Sequence, residues 1–101
     1  MTKRRVVITG LGAVSPFGIG VDKFWNSLVE GKSGLSTSEL IDIEKHVVKI
    51  SGEVKNFNPE DYLDPKEAKK MDRYIQFAMV AADEAVKDAK LEEVKDIDPY
   101  R

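Results

Sequence analysis

The sequence predicts an α/β fold, in the order strand–helix–strand–long helix, that is incomplete in this chain. Three segments carry the prediction. Residues 6–9 (VVIT) form a β-branched run typical of a strand buried on both faces. Residues 48–55 alternate apolar and polar side chains, as in a half-solvated strand, and residues 64–91 repeat apolar side chains at helical spacing. Because a doubly buried strand needs more neighbours than one further strand can supply, we predict the opening piece of a larger α/β domain.

Composition limits the classes of protein. The chain has 101 residues, 42% of them hydrophobic and 34% charged, which fits one globular domain at most. A net charge of −2 argues against a general nucleic-acid binder. The absence of cysteine removes disulfides, thiolate metal ligands and a cysteine nucleophile from this chain. No apolar run is long enough to span a membrane, so we predict a cytoplasmic chain with no membrane partner. We also expect this chain to hold no cofactor.

The glycine-rich segment after the first predicted strand has two interpretations. Gly10-x-Gly12 resembles the start of a dinucleotide-binding fingerprint, but Ser15 stands where the third glycine belongs. Pro16 also intervenes before any helix, whose N-terminus would have to face the pyrophosphate. We therefore favour glycines that allow close packing, and keep a small nucleotide-binding domain as an alternative.

The middle of the chain predicts small elements. Residues 21–30 have helical spacing and end at Gly31, a typical C-terminal stop. Residues 34–47 predict a loop with one possible turn of helix. They contain His46, the only histidine, which cannot build a metal site alone. Residues 58–63 (NPEDYL) combine a cap residue with proline and predict a one-turn helix.

Residues 64–91 predict a single long helix. Asp64 is a suitable N-cap, Pro65 fits the first helical position and Glu67 completes a capping-box pattern. At 1.5 Å per residue such a helix would be roughly 39 Å long. Its predicted apolar face is rich in alanine and consists of Met71, Ile75, Ala78, Met79, Ala82, Ala85, Val86 and Ala89.

Basic residues at the start of this helix suggest a partner. Lys66, Lys69, Lys70 and Arg73 are spaced to form a stripe, whereas residues 83–98 are mostly acidic. The helix dipole favours the opposite order, with acids first and bases last. The alternative is that the stripe is simply a solvated face, which spacing alone favours.

Several stretches together resemble the N-terminal segment of the β-ketoacyl-[acyl-carrier-protein] synthases. The matching stretches are RRVVITGLGAVSPFG (4–18), FWNSLVEGKSG (24–34), KISGEVKNFNPEDYL (49–63), KEAKKMDRYIQFAM (66–79) and AADEAVKDAKL (81–91). The combination of TGLG-x-x-SP with KKMD-x-x-IQ is specific, and it looks most like the second type of synthase, which elongates longer acyl chains.

The resemblance implies a thiolase-like fold, of which residues 1–101 would be part of the N-terminal α/β half, and a homodimeric parent enzyme. The family joins an acyl group, held on a cysteine, to malonyl on acyl carrier protein with loss of CO₂, assisted by two histidines. This chain has no cysteine, and His46 lies in none of the family's catalytic motifs. No catalytic residue is therefore expected here, and the chain alone is predicted to be inactive.

The resemblance also implies a binding surface. Basic residues at the start of the KKMD segment contact the acidic acyl carrier protein in such synthases, and Lys66, Lys69 and Lys70 match those positions. Arg73 is added because it lies one turn further along the predicted stripe. The expected partners are acyl carrier protein and the remainder of the synthase chain. The competing hypothesis is a stand-alone, non-catalytic module that binds a carrier protein or a synthase.

Overall fold

The computed structural model describes residues 3–98 and 100 of the chain. Its regular elements are two short strand pairs, three α-helices and three 3₁₀ turns. In chain order these are β1 (Val14–Ser15), β2 (Gly18–Ile19), α1 (Val21–Val29), β3 (Leu35–Thr37), a turn at Ile43–Lys45, β4 (Ile50–Gly52), a turn at Pro59–Asp61, α2 (Pro65–Ala68), α3 (Arg73–Asp88) and a turn at Leu91–Glu93. No helix among the described residues is long and apolar enough to cross a bilayer.

The described residues do not surround a core of their own. The radius of gyration is 17.6 Å, whereas a compact domain of this length has about 13 Å. Among the described residues the buried hydrophobic side chains are only Ala68 and Val80. The prediction of a partial α/β fold is confirmed, because helices and strands are present without the packed layers that would bury them.

The strand predicted for residues 6–9 is not formed. Within residues 3–98 this segment pairs with no strand, and Val6 and Ile8 are 90% and 82% exposed. A strand exists through its ladder of hydrogen bonds to a neighbour. The β-branched pattern is real, but nothing in the described part of the chain lies alongside to complete it.

Two antiparallel pairs replace the predicted single strands. β1 and β2 form a tight hairpin with Ser15 opposite Gly18, whose φ of +131° favours glycine. β4 confirms the central residues of the strand predicted over residues 48–55. It pairs with β3 and places Thr37 opposite Ile50. The prediction that residues 34–47 hold only loop and helix is therefore wrong in part, since β3 lies within them.

Side-chain contacts fix the end of this second pair. The hydroxyls of Ser38 and Ser51 lie 2.6 Å apart. The Glu53 carboxylate accepts the backbone N–H groups of Glu39 and Leu40, at 2.8 and 3.1 Å. Both hydrogen bonds stabilise the charged carboxylate, the one from Glu39 most strongly, and they lower the pKa of Glu53 below its usual value.

Helix α1 confirms the prediction for residues 21–30. It ends where expected, since Gly31 adopts φ +73° and the N–H of Lys32 donates to the carbonyl of Ser27 at 3.0 Å. That bond reaches back five residues, as in a Schellman ending. The apolar side chains of α1 remain exposed, however, and Trp25 is 61% exposed.

Residues 64–91 form two helices, so the prediction of one continuous helix is wrong. α2 ends at Ala68, and α3 begins only at Arg73. Between them the N–H of Met71 bonds back three residues to the Ala68 carbonyl, which tightens the chain out of α-helical geometry. Asp72 stands at the N-cap position of α3 in an extended conformation, with ψ 160°, and its side chain makes no capping hydrogen bond.

Both predicted cap-then-proline starts are confirmed. The carboxylate of Asp64 accepts the N–H of Lys66 at 3.1 Å. The amide oxygen of Asn58 accepts the N–H of Glu60 at 3.2 Å and starts the turn at Pro59–Asp61. In each case the side chain satisfies a donor that the first helical turn leaves without a backbone partner.

Candidate functional site: a cationic turn beside the glycine–helix contact

The glycine-rich segment packs directly on the backbone of α3. A Cβ atom on Gly12 would lie 1.8 Å from the carbonyl oxygen of Ala81. A Cβ on Gly10 would lie 2.3 Å from that of Ala85. Atoms that are not bonded to each other cannot approach this closely, so both positions require glycine. The close-packing interpretation is confirmed, and the alanine-rich side of α3 is the surface that makes the approach possible.

Carboxylates of α3 already occupy the backbone donors of the glycine segment. Glu84 Oε1 accepts the N–H of Ala13 at 2.9 Å, and Oε2 accepts that of Val21 at 3.1 Å, at the start of α1. Asp88 accepts the N–H of Leu11 at 3.0 Å. A bound phosphate would need these same donors. The side chains of Glu84 and Asp88 already accept the hydrogen bonds of these N–H groups, which argues against the nucleotide-binding alternative.

The groove beside this contact has the wrong charge for phosphate. It encloses about 630 Å³, and four carboxylates line it: Asp22, Asp83, Glu84 and Asp88. Lys87, also in the lining, is held by Asp83 at 2.9 Å. The hydrogen bond from this ammonium to Asp83, reinforced by the opposite charge, raises the pKa of Lys87. An acidic groove repels anionic ligands.

The predicted basic residues divide into two groups. Lys66 lies in α2, Lys69 caps its end and Lys70 follows in the tight turn, and all three are exposed. We call residues 66–70 the cationic turn. Among the described residues, none of the ion pairs includes these three lysines. Their charges thus remain available to an external partner.

Arg73 has partners within the chain. Its guanidinium lies over the ring of Phe77, 4.9 Å from the ring centre, and 5.8 Å from that of Phe57. It also donates a hydrogen bond to the carbonyl of Val54. The rings of Phe57 and Phe77 meet edge to face at 5.0 Å. Arg73 therefore ties the start of α3 to the segment after β4, in addition to carrying charge.

The break between the two helices changes how the basic residues stand relative to the helix ends. Because the helix is broken, Lys69 and Lys70 stand at the C-terminal end of α2, the end where a helix dipole favours cations. At the other end, Glu84 and Asp88 cap backbone donors of the glycine segment. The reversed charge order is thus removed for Lys69 and Lys70, whereas Arg73 still stands at the first position of α3, whose first turn contains no acidic residue. The case for a partner of the lysines now depends on exposure and on family.

Gln76 is a site residue that sequence analysis missed. Its side-chain amide donates to the carbonyl of Ala68 at 3.0 Å and reaches that of Met71 at 3.5 Å. These contacts thus connect α3 to the end of α2 and to the residues between the two helices. Gln76 belongs to the KKMD-x-x-IQ pattern, but a pattern for one continuous helix gives no reason to expect a side chain to cap a helix end there.

The remaining candidate, His46, follows the turn at Ile43–Lys45 and lies on the surface. Among the described residues, no group of three or more histidine, aspartate or glutamate side chains is placed to hold a metal ion.

Comparison with known proteins identifies the family. Residues 3–98 match the family model "Beta-ketoacyl synthase, N-terminal domain". The chain therefore belongs to the β-ketoacyl synthase family, and its partial fold is thiolase-like.

Its relatives are of the second type. The chain is 52% identical over 89 residues to 3-oxoacyl-[acyl-carrier-protein] synthase 2 of Staphylococcus aureus (strain COL). It is 43% identical over 91 residues to the synthase of the same name from Synechocystis. These matches cover 88% and 90% of this chain but only 22% of each relative. The chain thus spans about a fifth of their length.

A solved structure supports the fold. The ishigamide ketosynthase/chain length factor superposes with a TM-score of 0.79 and 35% sequence identity. The superposition covers 88% of this chain and 22% of that one.

Replacing Arg73 with lysine separates its two roles. The variant keeps the charge but loses planar stacking on Phe77, so we expect a loss of stability of about 0.5–2 kcal/mol. Thermal unfolding of a complete synthase containing residues 3–98 measures this loss. An unchanged melting temperature would show that the planar guanidinium contributes nothing beyond its charge.

Proposed function

We propose that this chain is part of a 3-oxoacyl-[acyl-carrier-protein] synthase of the second type. In this proposal the whole protein is a cytoplasmic homodimer that condenses an acyl thioester with malonyl-acyl carrier protein, with loss of CO₂, during fatty-acid elongation. The names of the relatives support the assignment, together with the match to the family's N-terminal domain over residues 3–98.

Within that enzyme the chain supplies structure and a docking surface, whereas the chemistry resides elsewhere. A thioester intermediate needs a nucleophilic thiol, and this chain contains no cysteine and only one histidine. His46 is on the surface beside a 3₁₀ turn, far in sequence from the packed glycine segment. The catalytic groups of the proposed enzyme therefore belong to residues outside this chain.

The isolated chain is accordingly expected to show no turnover. Purified residues 1–101 should neither condense an acyl thioester with malonyl-acyl carrier protein nor release CO₂ from it, since the nucleophile is missing. A complete synthase containing residues 3–98 is the positive control and should do both. Any catalysis by the isolated chain, above that of a heat-treated sample, would contradict the assignment.

The cationic turn is the part of the chain that we assign to carrier-protein docking. The supporting observation is that Lys66, Lys69 and Lys70 are exposed at one helix end and take no part in the ion pairs of the described residues. Such a cluster attracts an acidic protein and accelerates encounter, more than it tightens the final complex. Carrier-protein binding by the complete synthase should therefore weaken as salt rises, and salt-independent binding would argue against the assignment.

A further inference from the structure

Gln76 connects α2 with α3 across residues 69–72, the segment between the two helices that carries Lys69 and Lys70. Its backbone N–H donates to the Asp72 carbonyl at 3.1 Å, which places it in the first turn of α3. From there its side-chain amide reaches back to the Ala68 carbonyl at 3.0 Å, at the last residue of α2. The Gln76 side chain is half-buried, whereas the lysines of the turn are exposed. The hydrogen bond between Gln76 and Ala68 is therefore less accessible to solvent than the lysine side chains.

This contact satisfies carbonyls that the helix end leaves open. The final carbonyls of a helix have no partner within it. The Ala68 carbonyl receives the N–H of Met71 at 3.1 Å and the Gln76 amide as well. The Met71 bond encloses residues 69–70 and the Gln76 bond encloses residues 69–75, so both constrain the path of the segment that carries Lys69 and Lys70. Lysine side chains are flexible, and the backbone direction decides which volume their ammonium groups can reach.

We propose that Gln76 is a positioning residue for carrier-protein docking: its amide bond to Ala68 fixes the direction in which Lys69 and Lys70 present their charges. This inference rests on the docking role proposed above for the cationic turn. A pre-organised turn needs no further ordering when the partner binds, and that saving appears as affinity. Gln76 itself does not contact the carrier protein, so removing its amide should matter only through the lysines.

The test replaces Gln76 with methionine in a complete synthase containing residues 3–98. Methionine has similar length and no donor, so the side-chain volume is kept while the bond is lost. We expect the KM for malonyl-acyl carrier protein to rise about 3–10-fold, the range that corresponds to ordering one or two side chains or a short turn. The KM for a malonyl-pantetheine thioester, which has no protein carrier, should rise less than about twofold.

Two further variants make this comparison specific. Asp83→Asn breaks an exposed ion pair on the same helix and should change neither KM. Gln76→Asn keeps the amide but is shorter by one methylene, so it should reproduce the effect of methionine and serves if that variant folds poorly. An equal rise in both KM values for Gln76→Met would mean general damage to the enzyme and would overturn the proposal, as would no rise at all.

A double-mutant cycle separates this inference from the docking assignment. In a Lys69→Gln/Lys70→Gln background, Gln76→Met should have little further effect on the KM for the carrier-bound substrate, because the groups it positions are gone. If the double lysine variant itself leaves that KM unchanged, the docking assignment fails. If the lysine variant raises the KM and Gln76→Met adds its full effect on top, docking stands and the positioning role of Gln76 fails.

Discussion

Replacing Gly12 with alanine is expected to destabilise the protein by about 3 kcal/mol or more, at the upper end of overpacking substitutions. The added Cβ would stand 1.8 Å from the Ala81 carbonyl oxygen and 2.8 Å from its carbon. A flexible side chain could move aside, but this oxygen belongs to the backbone in the middle of α3. Either the helix or the glycine segment must shift, and a shift would also strain the bonds from Glu84 to Ala13 and Val21.

Thermal unfolding of the complete synthase measures this effect, and Gly52→Ala is its matched control. A Cβ on Gly52 would lie 3.5 Å from Pro16 Cγ, which is ordinary contact. We therefore expect Gly52→Ala to change stability by no more than about 1 kcal/mol. Equal melting temperatures for the two variants would show that the contact between the glycine segment and α3 is not tight in the assembled enzyme.

Elements with local signals could be predicted from the sequence. Helix α1 begins and ends where spacing and Gly31 indicate, because the stop depends on the residue's own φ of +73°. The starts at Asn58 and Asp64 form for a similar reason, since each cap bonds an N–H two residues on. The close packing of Gly10 and Gly12 is the interpretation that Ser15 and Pro16 favour, although the surface on which the glycines pack does not follow from the sequence.

Elements that depend on distant residues could not be predicted. The strand at residues 6–9 has the right composition but finds no neighbour in the described part of the chain. The break before Arg73 could not be predicted because the segments on both sides of it keep helical spacing. The tight turn between them is stabilised by the side chain of Gln76, which lies eight residues after the last residue of α2. The sequence shows Glu84 only as part of the acidic segment 83–98, whereas its bonds to Ala13 and Val21 span 71 and 63 residues.

The exposed apolar surface bears on the alternative of a stand-alone module. Val6, Ile8 and Val47 are at least 82% exposed, and the apolar side of α1 is open as well. Apolar side chains exposed to this degree contribute little to folding, because burial of such groups supplies its main driving force. A role as one portion of a larger synthase explains these surfaces, whereas an independent module leaves them without a purpose.

Reversing Lys66, Lys69 and Lys70 to glutamate in the complete synthase is expected to raise the KM for malonyl-acyl carrier protein at least about tenfold at low salt. Attraction between the turn and an acidic partner becomes repulsion, so encounter slows and the docked complex loses its charge pairs. The difference should shrink as ionic strength passes about 0.15 M, where charges more than about 8 Å apart are screened. Turnover of a carrier-free malonyl thioester should be unaffected, because the turn lies outside the chemistry.

A second triple variant distinguishes a local site from a general effect of net charge. Lys23, Lys45 and Lys49 are also exposed, and reversing them produces the same change in charge away from the turn. If long-range attraction to the whole surface were sufficient, both variants would weaken carrier-protein use equally. A docking site at the cationic turn predicts a much larger rise in KM for the first variant, because only there do the ammonium groups meet the partner at contact distance. Equal rises in KM for the two variants would mean that the turn contributes only to the general charge of the surface. No rise for the first variant would mean that the turn is not part of the binding surface.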